Sequence, residues 1–181
     1  MGNWPLGDTA DLLDQVTIWR EKGKGLIAES PTLFVDFDGV LHPYGITALD
    51  ENFKLIANPT LFCWRPILEN VLAPHPNVQI IVSSDWRRLF PDEVLVALLG
   101  PKLEQHFSGA VDCYNASRVE EILDEASRRR LSRWLAIDDH PSVREACRAG
   151  DERFVVCNPD SGISDVSVQS ALRRKLAALR N

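Results

Sequence analysis

The sequence lacks the features that mark membrane, secreted and metal-thiolate proteins. No apolar stretch approaches the roughly 20 residues that a membrane-spanning helix needs. The N-terminal segment MGNWPLGDTADLLDQ has neither the basic patch nor the apolar run of a signal peptide. The four cysteines form no CxxC pair and are not joined by histidine at metal-binding spacing. We therefore expect a cytoplasmic protein without a membrane partner, with reduced cysteines in its core.

An excess of positive charge is also missing. The net charge is −6, which argues against nucleic acid as a bulk electrostatic partner, although a local basic groove is still compatible with it. One basic cluster contains Arg128, Arg129, Arg130 and Arg133. It follows four acidic residues on the same predicted helix, Glu120, Glu121, Asp124 and Glu125. We therefore predict a solvated face with salt bridges rather than a nucleic-acid patch.

Short apolar runs alternate with amphipathic stretches along the chain. The apolar residues in the runs are continuous, which is typical of strands that are buried on both faces. We predict strands over 31–37, 78–84, 132–138 and 153–157, and a weaker strand over 107–112. Helices are predicted over 8–22, 61–73, 91–100, 117–131, 141–150 and 165–180.

This alternation predicts an α/β fold, a three-layer sandwich with a central, mostly parallel sheet and helices on both faces. We divide the chain into an N-terminal helical extension, residues 1–30, and the α/β domain, residues 31–181. The N-terminal helix could cover the sheet or form a homodimer contact.

Polar side chains stand where three of the predicted strands end. The segments are DFD (36–38), SS (83–84) and DD (138–139). In open α/β sheets, ligands bind beyond the carboxyl ends of the strands, so we expect these side chains to share one rim. Two carboxylates about 4 Å apart repel by roughly 4 kcal/mol at an effective dielectric constant near 20. Either some of the acids are protonated or a cation lies among them, and oxygen ligands suit Mg²⁺.

The acids allow other interpretations, which are either weaker than a Mg²⁺ site or compatible with it. DFDG could begin a calcium loop, but Val40 and Thr47 would then occupy the fifth and twelfth positions of the loop, and neither is an adequate ligand there. The pair Asp138 and Asp139 could cap the helix that begins near Pro141, and Asp139 could do this while it also contacts a metal. A receiver domain also clusters acids, but its adjacent acids come early in the chain, whereas this pair comes late.

The motifs resemble the haloacid dehalogenase (HAD) superfamily of phosphatases. The resemblance rests on DFDGV (36–40), a serine at the end of the second strand, a basic residue at the start of a later helix, and IDD (137–139). It covers roughly residues 31 to 175. The segments LFVDFDGVLHP, SSDWR, WLAIDD and NPDSGIS are similar to a bacterial branch of small HAD domains, some of which are fused to RNA-repair enzymes.

The resemblance implies a Mg²⁺-dependent phosphomonoester hydrolase. Asp36 would be the nucleophile that forms an aspartyl-phosphate, and Asp38 the general acid/base. Ser84 would hydrogen-bond the transferring phosphoryl group, with Ser83 as the alternative. Arg118 would stand where the superfamily usually has lysine, and its planar fork makes the geometry of charge neutralisation different.

The same resemblance implies the metal ligands. Asp36 would bind Mg²⁺ through its carboxylate, and Asp38 through its backbone carbonyl. Either Asp138 or Asp139 would complete the set, and the sequence does not choose between them.

The intervals between the motifs are too short for a folded cap domain. About 20 residues, HPYGITALDENFKLIANPT, are free after the first motif, and the second interval is mostly helix. We expect an open site, which suits a large phosphorylated substrate, or a small one that a partner subunit closes off. The alternatives to a metabolite phosphatase are an RNA-repair type of nucleic-acid end-processing phosphatase and a catalytically idle binding module.

Four further polar residues lie near the predicted rim. His42 follows the first motif and is predicted to be a hydrogen-bonded loop histidine at the mouth of the site. Asp85, Arg87 and Arg88 could contact substrate, but we favour an exposed loop that leads into the next helix.

Overall fold

The computed structural model describes residues 30–52 and 54–179. Its strands are β1 (Thr32–Val35), β2 (Gln79–Val82), β3 (Phe107–Ala110), β4 (Trp134–Asp138) and β5 (Phe154–Val156). Its α-helices are α1 (Arg65–Leu72), α2 (Asp92–Leu99), α3 (Pro101–Glu104), α4 (Arg118–Arg128), α5 (Pro141–Arg148) and α6 (Val166–Ala178). Two 3₁₀ turns cover Asp85–Arg88 and Gly162–Ser164.

The predicted elements within these ranges are confirmed, and the short helix α3 is an addition. It starts at Pro101, directly after Gly100, whose φ of +76° breaks the helical path at the end of α2. The predicted helix over 8–22 lies outside the described residues. None of the described helices is long and apolar enough to cross a membrane.

The five strands form one parallel sheet in the order β3-β2-β1-β4-β5. Val35 at the end of β1 pairs with Val82 of β2 and with Ile137 of β4. The residues that come next, Asp36, Ser83 and Asp138, therefore stand at the same level of three adjacent strands. This register confirms that the polar strand ends share one rim.

Two apolar clusters lie on opposite faces of the sheet, because successive strand residues point to opposite sides. Leu33 and Val35 belong to the cluster that packs against α1, α2, α3 and α6. Phe34 belongs to the cluster that packs against α4 and α5. The predicted three-layer sandwich is confirmed.

The helix starts next to the rim have different caps. Ser117 caps α4, because its Oγ accepts a hydrogen bond from the backbone N–H of Glu120 at 3.3 Å. At α5 the cap is His140, whose Nδ1 accepts from the N–H of Ser142 at 3.2 Å. The alternative in which Asp139 caps this helix is therefore wrong.

The segment 43–60 contains no helix or strand among its described residues. It holds one isolated bridge, between Leu49 and Leu55. This agrees with the expectation that the interval after the first motif holds no folded cap.

All four cysteines are free, but they are not all in the core. Cys157 is buried, Cys113 and Cys147 are half-buried, and Cys63 is exposed. The prediction of core cysteines is therefore wrong for Cys63.

Candidate active site

Three carboxylates meet at the carboxyl edge of the sheet. Asp36 follows β1, Asp138 ends β4, and Asp139 follows it. One carboxylate oxygen from each residue lies within 4.8 Å of those from the other two. Asp138 is fully buried, Asp36 is 5% exposed and Asp139 is half-buried. We call these three residues the acidic trio.

Gly39 allows Asp139 to reach the other two acids. The φ of Gly39 is +66°, in the left-handed region, and a Cβ at this position would lie 2.2 Å from Oδ2 of Asp139. The turn is closed by the N–H of Leu41, which donates to the carbonyl of Phe37 at 2.8 Å. A side chain at position 39 would therefore strain the turn and collide with the trio.

The acids perturb one another because they are buried together. Burial and then the charge of Asp138 raise the pKa of Asp36 well above its usual value. Burial also raises the pKa of Asp138 to about 7, although Arg118 and the backbone N–H of His140 oppose the shift. Burial likewise raises the pKa of Asp139. An additional cation would relieve this repulsion.

The trio also offers a free ligand atom. Oδ1 of Asp138 accepts from the N–H of His140 at 2.8 Å, but its Oδ2 accepts no hydrogen bond from the part of the chain that the structure describes. A buried carboxylate oxygen without a donor is costly unless another group binds it. The trio therefore fits a hard divalent cation, whose preferred ligands are carboxylate oxygens.

Arg118 places one positive charge beside the trio. It is the first residue of α4, it is 7% exposed, and its Nε lies 3.3 Å from Oδ2 of Asp138. Its Nη1 donates to the carbonyl of Ser83 and, at 3.1 Å, to Glu121. Burial alone would lower the pKa of Arg118, but the charges of Asp138 and Asp36 outweigh it and raise the pKa. The guanidinium therefore stays charged.

The two serines after β2 differ in position and in partners. Ser83 stands beside Asp36 in the register, and its buried Oγ makes no hydrogen bond to any described residue. Oγ of Ser84 caps the next turn and accepts from the N–H of Trp86 at 3.5 Å. The sequence favoured Ser84 as the phosphate-binding serine, but it is the Ser83 hydroxyl that lies beside Asp36 without a described partner.

The carboxylate of Asp38 is held separately from the trio. Its Oδ2 accepts from Nε1 of Trp86 at 2.7 Å, and its Oδ1 is 3.0 Å from Nε2 of His42. His42 is fully buried, so it is not a histidine at the mouth of the site. Trp86 was not among the predicted site residues, although its position in SSDW, just after the rim serines, was a usable signal.

Arg87 and Glu121 form a buried support behind the rim. The Arg87 side chain is 2% exposed and donates to the carbonyls of Ser83 at 2.6 Å and Val111 at 3.0 Å. Glu121 accepts from Arg87 and Arg88 at 2.7 Å each, in addition to Arg118. The expectation of an exposed loop is therefore wrong for Arg87, whereas Asp85 and Arg88 are exposed.

Glu121 and Glu125 were also assigned to a solvated helix face, which is wrong because both are buried. The position of Glu121 three residues after Arg118 on a predicted helix was the signal for their contact. The basic cluster at the end of α4 does form the predicted salt bridges. Arg128 and Arg129 both pair with Glu125, which is fully buried.

The structure has the features of a HAD-superfamily domain. They are the parallel sheet, the acids after β1 and β4, the serines after β2 and the basic residue at the start of α4. The family model described as the HAD domain in Swiss Army Knife RNA repair proteins matches residues 32–168. The match covers most of the chain, and the protein belongs to this family. No curated protein and no solved structure matches the chain.

Proposed function

We propose that the protein is a Mg²⁺-dependent phosphomonoester hydrolase that works through an aspartyl-phosphate on Asp36. The observation that carries the proposal is the acidic trio, gathered within 4.8 Å beside the guanidinium of Arg118. Membership of the HAD superfamily supports hydrolase chemistry of this type.

The acidic trio and the backbone carbonyl of Asp38 would hold Mg²⁺. When bound, the ion neutralises the carboxylates and the oxygens of the substrate phosphate. Two structural reasons support this assignment: Oδ2 of Asp138 accepts no hydrogen bond from the described residues, and the carboxylates of the trio repel one another.

The residues of the chain then have distinct roles in two displacements. A carboxylate oxygen of Asp36 bonds to phosphorus while the ester P–O bond breaks, and Asp38 gives its proton to the leaving oxygen. Water next bonds to phosphorus and gives a proton to Asp38, and the bond between phosphorus and Asp36 breaks. The products are inorganic phosphate and the original carboxylate.

Ser83 and Arg118 would stabilise the transferring group. The free hydroxyl of Ser83 stands beside Asp36 and can donate to a phosphoryl oxygen. Arg118 supplies a fixed positive charge, since its contacts to Asp138, Glu121 and the Ser83 carbonyl orient the guanidinium.

The test is hydrolysis of p-nitrophenyl phosphate with Mg²⁺ and with EDTA. We expect metal-dependent turnover by the wild type and none by Asp36→Asn, with unchanged circular dichroism. Glu145→Gln, which makes the same carboxylate-to-amide change on an exposed residue of α5, should keep full activity. Turnover by Asp36→Asn would exclude the mechanism, and an inactive wild type would favour the binding module.

A nucleic-acid end-processing phosphatase is the second candidate, because the family description refers to RNA repair. The structure offers one supporting feature at the rim. The guanidinium of Arg88 lies 5.1 Å from the ring centroid of Tyr114, which is 63% exposed. Exposed aromatic rings and arginine planes are the groups on which unpaired bases stack.

This candidate is tested by comparing a 3′-phosphorylated oligoribonucleotide with a nucleoside monophosphate. Tyr114→Ala should reduce kcat/KM for the oligonucleotide by about 10-fold, the typical effect of one lost stacking contact. It should leave p-nitrophenyl phosphate hydrolysis unchanged. Equal rates for the two nucleic-acid substrates, with no effect of Tyr114→Ala, would reject this candidate.

A further inference from the structure

The carboxylate of Asp38 is oriented by two buried ring N–H groups. Nε1 of Trp86 donates to Oδ2 at 2.7 Å, and Nε2 of His42 lies 3.0 Å from Oδ1. Trp86 is 6% exposed and His42 is fully buried, whereas the Asp38 side chain is 32% exposed. The carboxylate is therefore accessible from the rim while its orientation is set from the interior.

The two rings are fixed by an aromatic cluster. Phe62 packs edge-to-face against His42, with centroids 4.9 Å apart, and against Trp86, with centroids 5.6 Å apart. Phe37, between the two acids of the first motif, packs against Trp86 at 6.0 Å and against Phe62 at 5.0 Å. Rings packed in this way have little freedom to rotate.

The aromatic cluster holds Phe62 in an unusual backbone conformation. Its φ is +55°, in the left-handed region that bulky residues rarely adopt. The N–H of Trp64 donates to the carbonyl of Leu41 at 2.9 Å and ties this segment to the turn that contains His42. Strain of this kind persists only where the surroundings over-determine it.

The hydrogen-bond partners of the two ring nitrogens indicate the tautomer of His42. Where Oδ1 of Asp38 accepts this bond, Nε2 of His42 is the nitrogen that bears the hydrogen. Nδ1 is buried and makes no hydrogen bond within the described ranges. A hydrogen on Nδ1 would be a buried donor without a described partner, which favours the hydrogen on Nε2.

We propose that Trp86 and His42 are positioning residues that keep the Asp38 carboxylate in place for proton exchange. The inference rests on the proposed role of Asp38 as general acid/base. Each Asp38 oxygen accepts one bond from the interior and retains a lone pair for the transferred proton. Without the two donors the side chain can turn to other rotamers, and the proton would no longer be placed at the leaving oxygen.

The test uses ring-conserving variants and two substrates. Trp86→Phe and His42→Phe remove one donor each and keep an aromatic ring in the cluster. An alkyl phosphate needs a proton on its leaving oxygen, whereas p-nitrophenolate leaves without one. We expect kcat/KM to fall by about 10-fold or more for ethyl phosphate and by a smaller factor for p-nitrophenyl phosphate. Trp134→Phe, the same change in the opposite core cluster, should affect both substrates alike.

We use kcat/KM because it reports only the steps up to transfer of the phosphoryl group to Asp36. Equal losses on both esters would mean that the rings serve the fold alone and would overturn the proposal. Unchanged kinetics in both variants would overturn it as well.

A second measurement does not depend on turnover. In ¹⁵N-labelled protein, Asp38→Ala should move the indole N–H resonance of Trp86 upfield and speed its exchange with water, while that of Trp134 stays unchanged. An unmoved Trp86 resonance would overturn the contact itself. If the wild type hydrolyses neither ester, the proposed function and the positioning role both fail, and a moved resonance would then report only a structural hydrogen bond.

Discussion

Gly39→Ala should damage the proposed metal site more than it damages the fold. The new Cβ would lie 2.2 Å from Oδ2 and 3.1 Å from Cβ of Asp139, so the Asp139 side chain must move away from Asp36 and Asp138. The positive φ of +66° adds a backbone cost of roughly 1–2 kcal/mol for any L-residue. Of these two effects, only the collision with Asp139 changes the geometry of the acidic trio.

Gly45→Ala is the matched control. Gly45 has a similar φ of +77°, but a Cβ there meets nothing within 4 Å. Both variants should lose about 1–2 kcal/mol of unfolding free energy in chemical denaturation. Only Gly39→Ala should also weaken Mg²⁺ binding, by about 10-fold or more, as measured by isothermal titration calorimetry.

A double-mutant cycle isolates the collision. In an Asp139→Ala background the new methyl group no longer meets a carboxylate, so Gly39→Ala should cost less Mg²⁺ affinity than it does in the wild type. Equal Mg²⁺ affinities for the Gly39→Ala and Gly45→Ala proteins would refute the claim that Gly39 sets the position of Asp139.

Two further predictions concern the buried charges. Glu121→Gln should reduce the unfolding free energy by roughly 3 kcal/mol, because it removes the anion that Arg87, Arg88 and Arg118 share. The exposed neighbour Glu120→Gln should stay within about 0.5 kcal/mol in the same denaturant titration, and similar losses for both variants would contradict this assignment. In metal-free protein the raised pKa of Asp138, about 7 against 3.8, means that the folded state keeps a proton that the unfolded state releases. Stability should therefore fall as the pH rises from about 4 to 7, by at most about 1.4 kcal/mol per pH unit. Asp138→Asn should show a flatter profile, and parallel profiles would refute the shift.

The strands, most of the helices and the shared rim were predictable because each rests on local pattern. Continuous apolar runs indicated strands buried on both faces, and amphipathic stretches with Pro or Ser starts indicated the helices. Parallel strands end at one edge, so DFD, SS and DD had to meet there.

Partner choice within the rim was not predictable. Ser83 and Ser84 are identical in type, and only the register opposite Asp36 and the capping bond to Trp86 distinguish them. Likewise Asp139 was a plausible helix cap until the chain placed His140 in that position. Hydrogen-bond partners depend on three-dimensional direction, which residue spacing does not encode.

Two charged residues were predicted to be exposed although they are buried, and the reason is related. Arg87 and Glu121 read as exposed, because charged side chains are almost never fully buried unless they are paired. Their pairing spans 34 positions, from the turn after β2 to α4, and is visible only when the two elements meet.

The sequence by itself determined the α/β architecture and the identity of the acids at the rim, because hydrophobic periodicity and strand direction are properties of neighbouring residues. Only the tertiary structure decided which atoms face one another: the acidic trio, the free hydroxyl of Ser83, and the two rings that hold Asp38. These contacts join segments far apart in the chain, so their geometry exists only once the sheet and its helices have packed.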